Sequence, residues 1–143
     1  MDPMNYLFWG NLGDAYYWAP GRREEARSAY EKAIDLGEAR QRVNPKDADL
    51  LSNLAMYHAM RGEKIAARDN IEAAIRLQPK NPDVLFAAGI TYEQLGDTNR
   101  ALDALEKAAS FGLSPEMLQD TPNFDVLKNN PRFIGLVQSH QKK

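Results

Sequence analysis

The side chains that most often carry out chemistry are few and dispersed in this sequence of 143 residues. There is no cysteine, which removes disulfides, thiolate catalysis and cysteine-bound zinc. The two histidines, His58 and His140, lie far apart along the chain. No Ser-His-Asp set, Gly-rich phosphate loop or zinc-ligand spacing surrounds either of them. The carboxylate pairs Glu24-Glu25, Asp47/Asp49 and Asp120/Asp125 fall at the starts of expected helices. There they favour the helix dipole and have no base or nucleophile beside them. Arg22-Arg23 with Arg27 and Arg40/Arg42 form a local basic stretch, read as a solvated face with a phosphate site as the alternative. No catalytic, cofactor-binding or metal set emerges, and the chain is expected not to be an enzyme.

The elements that would position these residues follow from composition and pattern. Hydrophobic residues make up 43% and charged residues 27% of the chain, which suits a foldable chain rather than a disordered one. A net charge of −2 lacks the bulk attraction expected of a nucleic-acid binder. No apolar run approaches the roughly 20 residues that span a bilayer, and the first residues lack the basic n-region and small-residue cleavage site of a signal peptide. The cytoplasm is compatible with this, as is export of a domain needing no disulfide, so localisation stays open.

Self-similarity decides the fold. Pro45 and Pro79 are 34 residues apart, as are Gly62 and Gly96, Ala55 and Gly89, Ala67 and Ala101, Ile71 and Leu105, and Ala74 and Ala108. That period belongs to a helix-turn-helix solenoid. The spacing predicts helices over Ala48–Arg61, Glu63–Leu77, Pro82–Leu95 and Thr98–Phe111, with Gly62 and Gly96 in the turns. Small residues such as Ala55 and Gly89 allow close approach of the paired helix, and Ile71, Tyr92 and Leu105 fill the gaps.

These residues resemble the tetratricopeptide repeat family. In the first unit Trp9, Leu12-Gly13, Tyr16, Gly21, Ala26, Tyr30 and Ala33 follow its pattern in order. The third unit gives Gly89, Tyr92, Gly96, Ala101, Leu105 and Ala108, whereas the second puts Leu51 for the tryptophan and His58 for the tyrosine. The resemblance implies an all-α, right-handed superhelical solenoid of antiparallel helix pairs. One domain over 1–143 is expected: repeat one at about 6–45, repeat two at about 46–79, repeat three at about 80–113 and a cap at 114–143. His58 then takes a core position, as a packed and hydrogen-bonded ring.

The first unit is irregular. Its turn Trp18-Ala19-Pro20-Gly21 holds one extra residue, and seven more separate Ala33 from Pro45. Seven residues are close to two helical turns, which predicts one long helix over Arg23–Val43 with Leu36 and Val43 on one side. The alternative is a helix ending at Gly37. At the other end, Ser114-Pro115, Thr121-Pro122 and Asn130-Pro131 each read as an N-cap before a proline at the first helical position. Short helices to about Gln119, over Asn123–Lys128 and from Pro131 to about His140 would bring Phe124, Leu127, Phe133, Leu136 and Val137 over the open end of the last repeat, as arrays require. The stretch Leu127-Lys128-Asn129-Asn130-Pro131-Arg132-Phe133 is similar to endings after repeat arrays in multidomain bacterial regulators, including kinases, winged-helix regulators and adenylate cyclases.

The family geometry places the first helix of each pair on a concave face. It implies groove positions at Asn11, Asp14, Tyr17 and Trp18, at Asp49, Ser52, Asn53, Met56 and Met60, and at Asp83, Phe86, Ile90, Glu93 and Gln94. Contacts are expected from Tyr17, Trp18, Asn53, Met56, Met60, Phe86, Ile90 and Glu93, for a protein or peptide with apolar anchors. The alternative is that Met56, Met60 and Phe86 pack on the C-terminal helices of the same chain, and that Tyr17 and Trp18 are inter-helix core. Co-chaperones of this family grip carboxylates with lysine, asparagine, asparagine, lysine and arginine. Here those positions are Gly10, Asp14, Asn53, Asp83 and Ala87, which disfavours the acidic tails of heat-shock chaperones. Tyr6, Leu7, Phe8 and Trp9 circle one helical turn with no polar side, so an upstream helix or a second copy, making a homodimer, is expected over Tyr6, Leu7 and Phe8. Pro3, 42 residues before Pro45, is placed as the end of a preceding repeat.

Overall fold

The computed structural model describes the backbone of residues 4–141 and the side chains of residues 4–138. Pro3 and the His140 side chain lie outside the described residues. Helices α1 (Tyr6–Trp18), α2 (Arg23–Val43), α3 (Ala48–Met60), α4 (Lys64–Leu77), α5 (Pro82–Gln94) and α6 (Thr98–Ser110) form three antiparallel pairs. A short α7 (Pro115–Asp120), a 3₁₀ turn (Pro122–Leu127) and α8 (Pro131–Gln141) follow. The pairs α1/α2, α3/α4 and α5/α6 are the closest packed, and α2 then lies on α3, α3 on α5 and α4 on α5. The result is an all-helical solenoid whose core runs along the stack.

Local chemistry sets the ends of these helices. The Oδ1 of Asn5 accepts from the Leu7 N–H (2.9 Å), that of Asp47 from Leu50 (3.2 Å) and that of Asn81 from Asp83 (2.8 Å). These bonds satisfy donors that a helix start leaves without partners. At the end of α3, Gly62 has φ +78°, its N–H reaches the Ala59 carbonyl, and the Glu63 N–H reaches that of His58. Gly96 closes α5 in the same way, with φ +84°. Only glycine adopts this backbone without cost, and the pattern absorbs carbonyls that the last turn exposes.

Between the helices, the fully buried Ile71 and Leu105 each contribute about 1.5–3 kcal/mol of hydrophobic stabilisation. A Cβ on Gly89 would come within 2.5 Å of Leu105 Cδ2, inside the same pair, as the sequence spacing requires. Two further close approaches involve α1: Gly13 on the Tyr30 ring inside the first pair, and Gly10 on the Tyr57 ring of α3 in the next.

The long second helix spans Arg23–Val43, the range that the sequence predicts. Gly37 does not end it. This residue is buried, and a Cβ there would meet Leu54 Cδ2 at 2.7 Å, so the helix crosses α3 at that point. Val43, at the end of the helix, is 87% exposed. At 1.5 Å per residue the 21 residues of α2 reach roughly 30 Å, whereas α1 has 13 residues, so the end of α2 runs past its partner.

The capping segments cover the last pair. Phe124, Leu127, Phe133, Leu136 and Val137 join Leu102 and Leu105 in one buried cluster. The Pro-Arg-Phe ending has a physical account. Asn130 Oδ1 accepts from the Arg132 and Phe133 N–H groups, Phe133 is buried, and the Arg132 guanidinium reaches Asp103 (2.8 Å) and Glu106 (2.5 Å) on α6. The side-chain caps expected of Ser114 and Thr121 do not form. Each hydroxyl donates instead, Ser114 to the Glu116 carboxylate and Thr121 to the Met117 carbonyl.

Candidate partner-binding face

The first helices α1, α3 and α5 share one face, and several amides tie it together. Asn53 on α3 donates to the Tyr6 hydroxyl on α1 (3.4 Å), and Gln94 on α5 donates to the Tyr17 hydroxyl on α1 (2.9 Å). Asn123 of the 3₁₀ turn donates to Gln94 Oε1 (3.2 Å) and approaches Met60 Sδ (3.5 Å). The end of the chain therefore reaches into this face. Phe86 meets Phe124 edge-on, with centroids 5.9 Å apart, and Ile90 packs on the same capping cluster. The self-packing alternative thus describes Phe86 and Met60. Met56 is half-buried against the α3–α5 cluster around Ile71, Ala87 and Ala88.

The remaining expected positions are placed as follows. Tyr17 is half-buried, with the Trp18 ring edge-on at 4.9 Å, and Trp18 itself is 42% exposed. The Glu93 carboxylate accepts from the Thr98 hydroxyl (2.8 Å), at the α5–α6 turn. Ser52 is buried and donates to the Ala48 carbonyl, so it is not on the open face. Its short side chain satisfies itself on the preceding turn. Asp14 accepts from the Tyr30 hydroxyl (2.5 Å). Desolvation raises the Asp14 pKa, and that hydrogen bond opposes the rise. Burial and the Asp14 charge push Tyr30 upward, so it remains a neutral donor. His58 is buried, with Nδ1 at 2.9 Å from the Glu63 carboxylate, a packed and hydrogen-bonded ring.

Tyr6, expected in an N-terminal interface, is buried at 7% exposure within the core of the first pair. Its bond with Asn53 explains why it turns inward. Leu7 is 40% exposed and Phe8 half-buried. Among the described residues, no group of three or more His, Cys, Asp or Glu could hold a metal ion. No helix among them is long and apolar enough to cross a membrane.

Family models described as tetratricopeptide repeat match residues 6–38 and residues 71–103. The chain carries tetratricopeptide repeats. The first match covers α1 and most of α2. The second begins within α4 and ends within α6, a window shifted by part of the repeat. Comparison with curated proteins returned no match. Tetratricopeptide repeats generally mediate protein–protein interaction and are typically non-catalytic.

Arg61, which sequence reasoning did not assign, also lines this region, beside Arg23 and Arg27 of the basic stretch that the sequence reads as a solvated face with a phosphate site as the alternative. A cleft of about 320 Å³ lies where α1, α3 and α5 end and α2 begins, bordered by Tyr17, Arg23, Arg27, Met60, Arg61 and Gln94. Arg23 and Arg27 are four residues apart on α2, hence on one helical face. That spacing was visible in the sequence, whereas their meeting with Arg61 depends on the packing of α2 against α3.

Proposed function

We propose that this tetratricopeptide repeat protein is a non-catalytic module that binds a peptide or a partner domain on the face shared by α1, α3 and α5. The observation that carries this reading is the set of partly exposed apolar side chains left on that face, with Trp18 and Tyr17 at the end of α1 and Met56 on α3. Aromatic and methionine side chains of this kind suit an apolar anchor from a partner. The 3₁₀ turn already occupies the α5 side through Phe124 and reaches Met60 through Asn123, so the contacts fall mainly to Tyr17, Trp18, Asn53 and Met56, with Met60 at their border. Ile90, Phe86 and Glu93 border them. The similarity of its ending to those of multidomain bacterial regulators supports a module of a larger protein.

The test is a partner screen with the wild type and with Trp18→Ala/Met56→Glu. Trp18 is exposed and Met56 half-buried, so the helical content and melting temperature of the double variant are matched to the wild type before capture is compared, with Trp18→Ala alone as the variant that leaves the core untouched. Loss of the captured partner, by at least tenfold in affinity, is expected. Unchanged capture would overturn the groove assignment.

Self-association is the second reading. It rests on the start of the first helix, where Leu7 is 40% exposed and Met4, just before the helix, is 66% exposed.

A further inference from the structure

The cleft at the ends of α1, α3 and α5 has more donors than acceptors. Its charged lining residues are Arg23, Arg27 and Arg61, and no carboxylate lines it. Arg23 uses Nε on the Tyr17 carbonyl (2.8 Å) and lays its guanidinium over the Tyr17 ring, 3.7 Å from the centroid. Its terminal amino groups remain for another partner. Arg27 has no hydrogen bond or ion pair among the described residues. Arg61 has a long contact to Glu63 (3.6 Å), a carboxylate held more closely by His58 (2.9 Å). The Nε of Arg61 is buried without an acceptor, a state that folded proteins seldom leave uncompensated.

Two neutral acceptors of the lining are already engaged, and its other hydroxyl, on Tyr30, donates to Asp14. Gln94 Oε1 accepts from Asn123, and the Tyr17 hydroxyl accepts from Gln94. Guanidinium groups present planar forks that match the oxygens of oxyanions. A single carboxylate would offset one of the three charges. A phosphate monoester carries about −1.5 to −2 and three acceptor oxygens, and so answers more of the surplus.

The geometry points to a phosphate-monoester site formed by Arg23, Arg27 and Arg61, serving a phosphorylated side chain of the protein partner. The proposal rests on the partner-binding reading for the source of that group. None of the three arginines occupies one of the five groove positions that the family's carboxylate-binding members use. Tyr17 and Met60 border both this cleft and the apolar face, so a phosphorylated residue here would lie beside the apolar anchors.

The probes are inorganic phosphate and N-acetyl-phosphoserine amide, titrated into the full chain at pH 7.5. The arginine Nε–H resonances are followed, with sodium chloride at matched ionic strength and sodium acetate as references. Saturable shifts at Arg27 and Arg61 with both phosphates are expected, at least tenfold weaker in Arg27→Gln. Arg27 is exposed, so that variant should fold. A response no larger than that to chloride, an equal response to acetate, or an undiminished response in Arg27→Gln would each overturn the site. Binding of inorganic phosphate without the phosphoserine amide would overturn its assignment to a side chain. The probes need no peptide, so this result is independent of Trp18→Ala/Met56→Glu.

Discussion

Asp14 is a single residue in which two effects oppose each other. It is exposed as a residue, but its carboxyl lies against Tyr30, and desolvation there raises its pKa above the ordinary 3.8 while the Tyr30 hydroxyl bond lowers it, with desolvation the larger. The neutral form is therefore favoured more in the folded chain than in the unfolded one. Its contribution to stability is complete below pH 3.8 and is lost as pH rises through the higher folded value. Asp14→Asn keeps an oxygen for Tyr30 and removes the charge. At pH 7 the variant should unfold at the same or higher urea concentration than the wild type, and the difference should disappear by pH 3. A clearly weaker variant at pH 7 would mean that the charge-assisted bond from Tyr30 outweighs desolvation. None of this was legible in the sequence, because positions 14 and 30 meet only once α1 and α2 pair. The role of His58 was better marked. Its place in the 34-residue period put a ring there, and the ring is buried on Glu63.

At the scale of elements, α2 and its Gly37 show where a propensity argument stops. Glycine costs a helix on the order of 1 kcal/mol relative to alanine, so Gly37→Ala would stabilise an isolated α2. In the molecule the new methyl meets Leu54, which is fully buried and has little room to yield. Overpacking of this kind costs about 1–3 kcal/mol, so a net loss of roughly 1 kcal/mol is expected in chemical denaturation. Combining it with Leu54→Val should recover part of that loss, and additive effects would exclude the contact as the cause. The length of α2 was legible because seven added residues keep a helix nearly in phase. The exposure of Val43 was not, since it depends on where α1 stops. The capping segments were legible from their prolines. Their hydroxyl bonds were not, because Ser114 and Thr121 had a choice between accepting from the backbone and donating to a nearby oxygen.

For the whole molecule, the start of α1 bears on association. If Met4 and Leu7 meet a second copy, light scattering should give a mass that rises from monomer towards dimer with concentration, and Leu7→Glu should hold it at monomer. A monomeric mass throughout would remove the homodimer. The stacked architecture was legible because close helix contacts demand small residues at fixed intervals, and such demands leave a period. The link from Tyr17 through Gln94 to Asn123 leaves none, because three polar side chains from distant parts of the chain meet without repeating. An array of stacked pairs ordinarily passes stability only from neighbour to neighbour. Here the first pair is bonded directly to the third, and the tail is latched to the same amide. One edge of the stack is thus fastened like a strap. Spreading the repeats apart along that edge would have to break both bonds at once.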